Sequence, residues 1–232
     1  SILLPVFYLP FMATIGAFVL RGAALEFSYH DPARQRMWRR LFGLGSLLAL
    51  LSGMLGLGFM IQGLPFSGPG VVSGVIADSL SPFPLAVGIT GVALLVWHAA
   101  VYLVAKGTPV NPARPSAVIW AVTVALSLAT GCLWVLQAPG LAAKPFAWLG
   151  AAVYLLGLGG SRLLLARGPW AFRASSVAIA GFWIMAAASL FPDLLPARNN
   201  PDWSISIKAA AAPESSLRIV VALTPVLILL IM

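Results

Sequence analysis

Long apolar blocks fill most of this chain, near residues 2–27, 41–64, 82–106, 116–137, 145–166, 171–192 and 217–232, and polar or Pro/Gly-rich stretches separate them. About 20 apolar residues is the length at which an α-helix crosses the hydrocarbon of a bilayer. The alternation of period two that marks a membrane β-barrel does not occur inside the blocks. The pattern therefore predicts an all-α, polytopic membrane helical bundle with seven transmembrane helices. The last run, Ile219 to Met232, is shorter than the others, and the chain opens at Ser1 on Ile-Leu-Leu with no basic leader. The expectation is that both ends continue beyond the sequence in hand.

Composition agrees and narrows the choice. The chain has 232 residues, of which 60% are hydrophobic and 9% charged, and its mean hydropathy is +0.98, far outside the range of soluble domains. A net charge of +8 could point to nucleic acid, but the cations sit in short loops between apolar blocks and form no stripe, so nucleic acid is not an expected partner. They order the topology instead. Alternate loops carry Arg34, Arg36, Arg39, Arg40, Lys106, Arg114, Arg162, Arg167 and Arg173, whereas the opposite loops carry only Lys144, Arg198 and Lys208 beside Asp78, Asp193, Asp202 and Glu214. The positive-inside rule then makes the first set cytoplasmic, with Ser1 outside and Met232 inside.

Other features describe packing more than chemistry. Gly45, Ala49 and Gly53 recur every four residues in the second block and predict close approach by another helix. Trp38, Trp148, Trp170 and Trp203 fall near expected interfaces, where amphipathic rings anchor spans. Cys132 stands alone inside an apolar block and reads as a small hydrophobe. Two connections, 65–81 and 193–216, are longer than the rest and expected on the outer side.

Candidate chemistry is sparse. Of two histidines, His30 lies in the basic loop and His98 about two-thirds through the third block, so a bis-histidine haem cannot be built inside the bundle. One cysteine, two distant histidines and no carboxylate cluster give no metal site. The middle of every block lacks Asp and Glu, unlike an ion-coupled transporter. No catalytic residue is expected. Arg21 and Glu26, at the cytoplasmic end of the first block, and His98 remain as proton-path candidates. Glu26 is read either as a proton mouth or as a headgroup-level partner of Arg21 or Arg34, and His98 either as a proton-path or inter-subunit group or as an interhelical hydrogen bonder. Gln62 is a further polar group near the outer end of the second block.

Several segments together resemble subunit II of the cytochrome bd-type quinol oxidases. They are Arg21-Gly22-Ala23-Ala24-Leu25-Glu26-Phe27, Arg36-Met37-Trp38, Gly45-Ser46, Gln62-Gly63-Leu64-Pro65-Phe66 and Ser81-Pro82-Phe83-Pro84-Leu85-Ala86-Val87-Gly88. His98-Ala99-Ala100-Val101-Tyr102-Leu103 with Lys106, and Phe191-Pro192-Asp193-Leu194-Leu195-Pro196, complete the set. The resemblance covers the second to eighth helices of that family. It implies two four-helix bundles, divided here as 1–137 (without the family's first helix) and 138–232. It also implies a partner, the haem-bearing subunit I, with haem b and haem d held there and none in this chain, and a bacterial inner-membrane location.

Further expectations follow from the resemblance: quinol oxidised through the complex, a quinone or lipid in a groove, and small accessory subunits. The family's Gly-Phe-Asp-Leu-Gly helix is absent, its Trp-Asp pair in the outer loop is replaced by Lys208-Ala209, and Ala99 stands where the family has glycine. A stand-alone transporter or a non-respiratory structural subunit is the competing class, which paired interrupted helices with midplane polar residues would favour.

Overall fold

The computed structural model describes residues 3–68, 71–72, 80–107, 113–137 and 143–231. Six long helices dominate it: α1 (Leu3–His30), α2 (Gln35–Gln62), α3 (Pro82–Ala105), α4 (Ala113–Gln137), α5 (Pro145–Leu163) and α6 (Gly168–Leu190). Beyond α2 come the short antiparallel strands β1 (Phe66–Gly68) and β2 (Val71–Val72). A second antiparallel pair, β3 (Asp193–Leu195) and β4 (Ile205–Ser206), precedes the one-turn α7 (Ile207–Ala210) and the final helix α8 (Glu214–Ile231). Prolines sit in the first turn of α3, α5 and α6, where the missing N–H costs nothing.

The helical membrane bundle read from the apolar blocks is present. Among the described residues six helices are long and apolar enough to cross a membrane. The segment expected to be the seventh span is also helical, but α8 has 18 residues and is not among those six. The count of six is made over the described residues.

Two tight turns set the pairing. Asp31 accepts a hydrogen bond from the Arg34 backbone N–H at 3.2 Å and folds α1 back on α2, and the single 3-10 turn Leu165–Arg167 folds α5 back on α6. Between these hairpins α3 packs against α2, α4 and α6. Its Leu94, Trp97 and Val101 form the main core with Ile61, Trp134, Tyr154, Leu158, Ala178 and Phe182.

Helix contact runs through small residues, though not all those expected. A Cβ on Gly45 would lie 2.9 Å from the Ala17 carbonyl oxygen, so α1 and α2 touch backbone to backbone there. Gly53, by contrast, faces open space. The stripe continues instead through Ser52, which is 2.7 Å from the Thr14 hydroxyl, and Gly56, beside Pro10. A period of 3.6, not four, carries the contact around the helix. Between α5 and α6 the approach is closest: a Cβ on Gly150, Gly157 or Gly181 would overlap the backbone of Met185, Ala178 or Tyr154.

With no hydrophobic drive between lipid-immersed helices, interhelical hydrogen bonds add specificity, at about 0.6 kcal/mol each. Trp97 donates its indole N–H to Ser161 at 2.9 Å, Trp120 donates to the Leu158 carbonyl at 3.1 Å, and Thr90 and Thr130 pair at 2.7 Å.

Candidate functional site

The two ends of the bundle differ in character. At the basic end, α1 finishes and the α1–α2 turn begins. Arg21 places its guanidinium 5.0 Å from the centroid of the Phe42 ring on α2, a cation–π contact that the close approach of α1 to α2 at Gly45 makes possible. Glu26 does not meet Arg21. Five residues apart on a helix, the two side chains point about 140° apart, and Glu26 instead stands 3.5 Å from Nδ1 of His30, one turn on, with both side chains exposed. The charge pair considered for Arg21 or Arg34 with Glu26 is therefore replaced by a carboxylate–imidazole pair. Asp31 organises the turn, accepting from Trp38 Nε1 at 3.4 Å, while the Trp38 ring stacks on Phe27 at 4.9 Å.

His98 lies deeper, on the face of α3 turned to α6. Its Nδ1 is 2.8 Å from the Ser175 hydroxyl, and its ring lies 4.9 Å from that of Phe172. Ser175 in turn donates to the Phe172 carbonyl at 2.8 Å. Since a hydroxyl has one proton, Nδ1 is the donor toward Ser175 and Nε2 carries the lone pair. His98, Arg21 and Glu26 are not brought together, for they stand on α1 and α3, each of which packs on α2.

His30 is committed to Glu26 at an exposed helix end and His98 Nδ1 to Ser175, on separate helices, so these two residues do not fit a haem held axially by both. Among the described residues no group of three or more His, Cys, Asp and Glu gathers as metal ligands would.

At the opposite end two of the quoted sequence segments meet. The Leu64 N–H donates to the Pro196 carbonyl at 2.8 Å, and the Arg198 N–H donates back to the Leu64 carbonyl at 3.0 Å. Gly63 turns the chain into this contact at φ +88°, and a side chain there would crowd the Pro196 oxygen at 3.3 Å. Leu64, Phe66, Leu195 and Phe59 form a second buried cluster, joined by Trp203, which packs here. Gln62 accepts from Ser81 at 2.8 Å, and Asn199 donates to the Phe66 carbonyl at 3.2 Å.

Lys144, counted only as an outer-loop cation in the sequence, proves structural. Its Nζ donates to the carbonyls of Ser189, at 2.7 Å, and Phe191, closing the C-terminus of α6. Desolvation lowers its pKa below the usual lysine value, and the Asp193 charge opposes the shift.

Nearer the outer half, a cavity of about 500 Å³ opens between α3, α4, α5 and α6, walled by Phe83, Val87, Trp134, Trp148, Tyr154 and Phe182. Its hydroxyls satisfy each other: Thr90 with Thr130, and Ser127 with Tyr154 while also donating to the Thr123 carbonyl. The remaining surface suits hydrocarbon.

Comparison with known proteins agrees with this arrangement. Aligned over 265 residues, the chain is 23% identical to a protein of Haemophilus influenzae described as probable cytochrome oxidase subunit 2, covering 97% of this chain and 70% of that protein. The family model for the cytochrome bd terminal oxidase subunit II matches residues 1–232. With a bundle of membrane-length helices, and with two of the segments that carried the resemblance clasping one another at one end, this chain belongs to the cytochrome bd terminal oxidase subunit II family.

Proposed function

We propose that this chain is the haem-free membrane subunit of a terminal quinol oxidase that reduces oxygen to water, and that it supports the haem-bearing subunit I and lines a cytoplasmic proton entry. Membership in the family implies an oxidoreductase complex containing subunit I. What carries the finer reading is the placement of ionisable groups. Among the described residues, the side chains that hydrogen bond away from the span ends are hydroxyls, indoles and the His98 imidazole, while carboxylates stand at helix ends or in loops. Such an interior favours scaffolding over redox or transport chemistry.

In this reading haem b and haem d belong to subunit I, where quinol is oxidised. The division into 1–137 and 138–232 is the corresponding pair of bundles. The exposed apolar and aromatic face of α1, including Tyr8, Phe11, Phe18 and Phe27, is offered to subunit I or to lipid. The apolar cavity takes a quinone or lipid tail, and the basic end faces the cytoplasm of a bacterial inner membrane, with the C-terminus on that side. Small accessory subunits complete the assembly.

Glu26, exposed beside His30, collects protons; Arg21 holds α1 against α2 at that mouth, and His98 serves deeper along the route. Glu26→Gln in the assembled complex is expected to slow oxygen consumption and the growth of membrane potential together, with haem content unchanged. Wild-type turnover and potential in that variant would end the proton role.

A further inference from the structure

One corner of the basic end carries cations from three helices and a turn. α3 ends at Lys106, α5 carries Arg162 in its last turn, the connecting turn supplies Arg167, and α6 carries Arg173. The seating of Gly168 on α3, where a Cβ would lie 3.0 Å from Ala105 Cα, sets Lys106 beside Arg167, and Arg162 and Arg173 stand on the two helices that this turn joins. Lys106 therefore follows, and Arg167 precedes, a direct backbone contact.

Aromatic rings line the same corner. Lys106 Nζ is 5.7 Å from the Tyr102 ring, Tyr102 is 5.6 Å from Phe172, and the Arg173 guanidinium lies 4.7 Å from the Trp170 ring. Tyr102 and Trp170 are exposed, as are Lys106, Arg167 and Arg173. Among the described residues no carboxylate pairs with any of the four cations. In the other basic segment two carboxylates stand within the α1–α2 turn, Asp31 accepting from the Arg34 backbone N–H and Glu26 beside His30.

We propose that Lys106, Arg162, Arg167 and Arg173 form a headgroup site for an anionic phospholipid. Its phosphodiester sits among the cations and its glycerol region lies against Tyr102. The chemistry is complementary: the cations hold donors free for phosphate oxygens, and the rings are amphipathic groups at the end of membrane-length helices, where headgroups lie. The inference rests only on the helices spanning a bilayer and is independent of the proton-entry reading.

The test uses the complex as purified with its partner subunits, reconstituted in phosphatidylcholine nanodiscs doped with spin-labelled phosphatidylglycerol or spin-labelled phosphatidylcholine. The motionally restricted fraction is read by electron paramagnetic resonance. The wild type is expected to restrict phosphatidylglycerol preferentially. A K106Q/R167Q/R173Q variant is expected to lose that preference by at least about tenfold, since each cation near the surface contributes about 1 kcal/mol. An R36Q/R39Q/R40Q variant, which removes the same charge elsewhere, is expected to keep most of it.

Full preference in the first variant, or equal loss in both, overturns the site. So does loss of the wild-type preference on adding inorganic phosphate, at an ionic strength held constant with chloride, which would assign the site to free anion. Should the triple variant fail to assemble, R173Q and K106Q alone are each expected to weaken the preference about fivefold, and wild-type preference in both singles overturns the site equally.

Discussion

Lys144 makes a cation and two backbone carbonyls into the stop of α6. A cation at a helix C-terminus gains from the unsatisfied carbonyls there, by about 0.3–1 kcal/mol and up to about 2 in partly buried geometry. Lys144→Met is expected to cost about 1–2 kcal/mol, seen as a lower midpoint for thermal loss of helical signal in detergent. The pH dependence follows from the lowered pKa. Between the depressed folded value and the ordinary 10.5, the unfolded chain holds more protons, so stability rises with pH through that window. This contribution is complete above the unfolded value and is lost as pH falls through the folded one, and the K144M variant should lack that slope.

Neither Lys144 nor Ser175 was visible as a site residue in the sequence. The acceptors of Lys144 are main-chain oxygens 45 and 47 positions away, and Ser175 is one small hydroxyl in an apolar run. Arg21 and Glu26 drew notice through their closeness in sequence, whereas helix geometry alone separates their side chains. The His30 partnership was equally open to a count of four along the same helix.

At the scale of the element, the apolar blocks delimited the helices well, because span length is imposed by the bilayer and recorded directly in the run of residues. Interfaces were less legible. With 22 glycines in the chain, small residues recur on several faces of a helix, and a single sequence does not mark the one that meets a neighbour. The stripe of α2 was thus followed to Gly53 when the contact turns toward Ser52 and Gly56. The α5–α6 hairpin is where glycine matters most. A side chain on Gly181 would overlap the main chain at Tyr154, which no rotamer change can relieve. Gly181→Leu is expected to cost about 1–3 kcal/mol or more, read as a drop in assembled complex per cell, while Gly53→Leu, facing open space, should assemble normally.

For the molecule as a whole, the outer end ties segments far apart in the chain. The Gly63 turn holds Leu64 in a two-way hydrogen-bond exchange with Pro196 and Arg198. At its φ of +88° an L-residue is strained by about 1–3 kcal/mol. Gly63→Ala should therefore speed proteolytic cleavage between residues 193 and 206 in the detergent-solubilised complex, with little change at the α5–α6 turn. The sequence contained both halves of this clasp as separate segments, yet only the fold reveals that they are partners.

The clasp joins the ends of α2 and α6, the seating of Gly168 on Ala105 joins α3 to α6 at the basic end, and α2 packs along α3, so that the three helices brace one another. α1 lies outside that triangle and packs mainly on α2. In a thicker or thinner bilayer the braced helices cannot retilt one at a time without breaking a joint, so mismatch falls on α1 and on the surrounding lipid. The same protein in membranes of different thickness should differ in the inclination of its first helix and in little else.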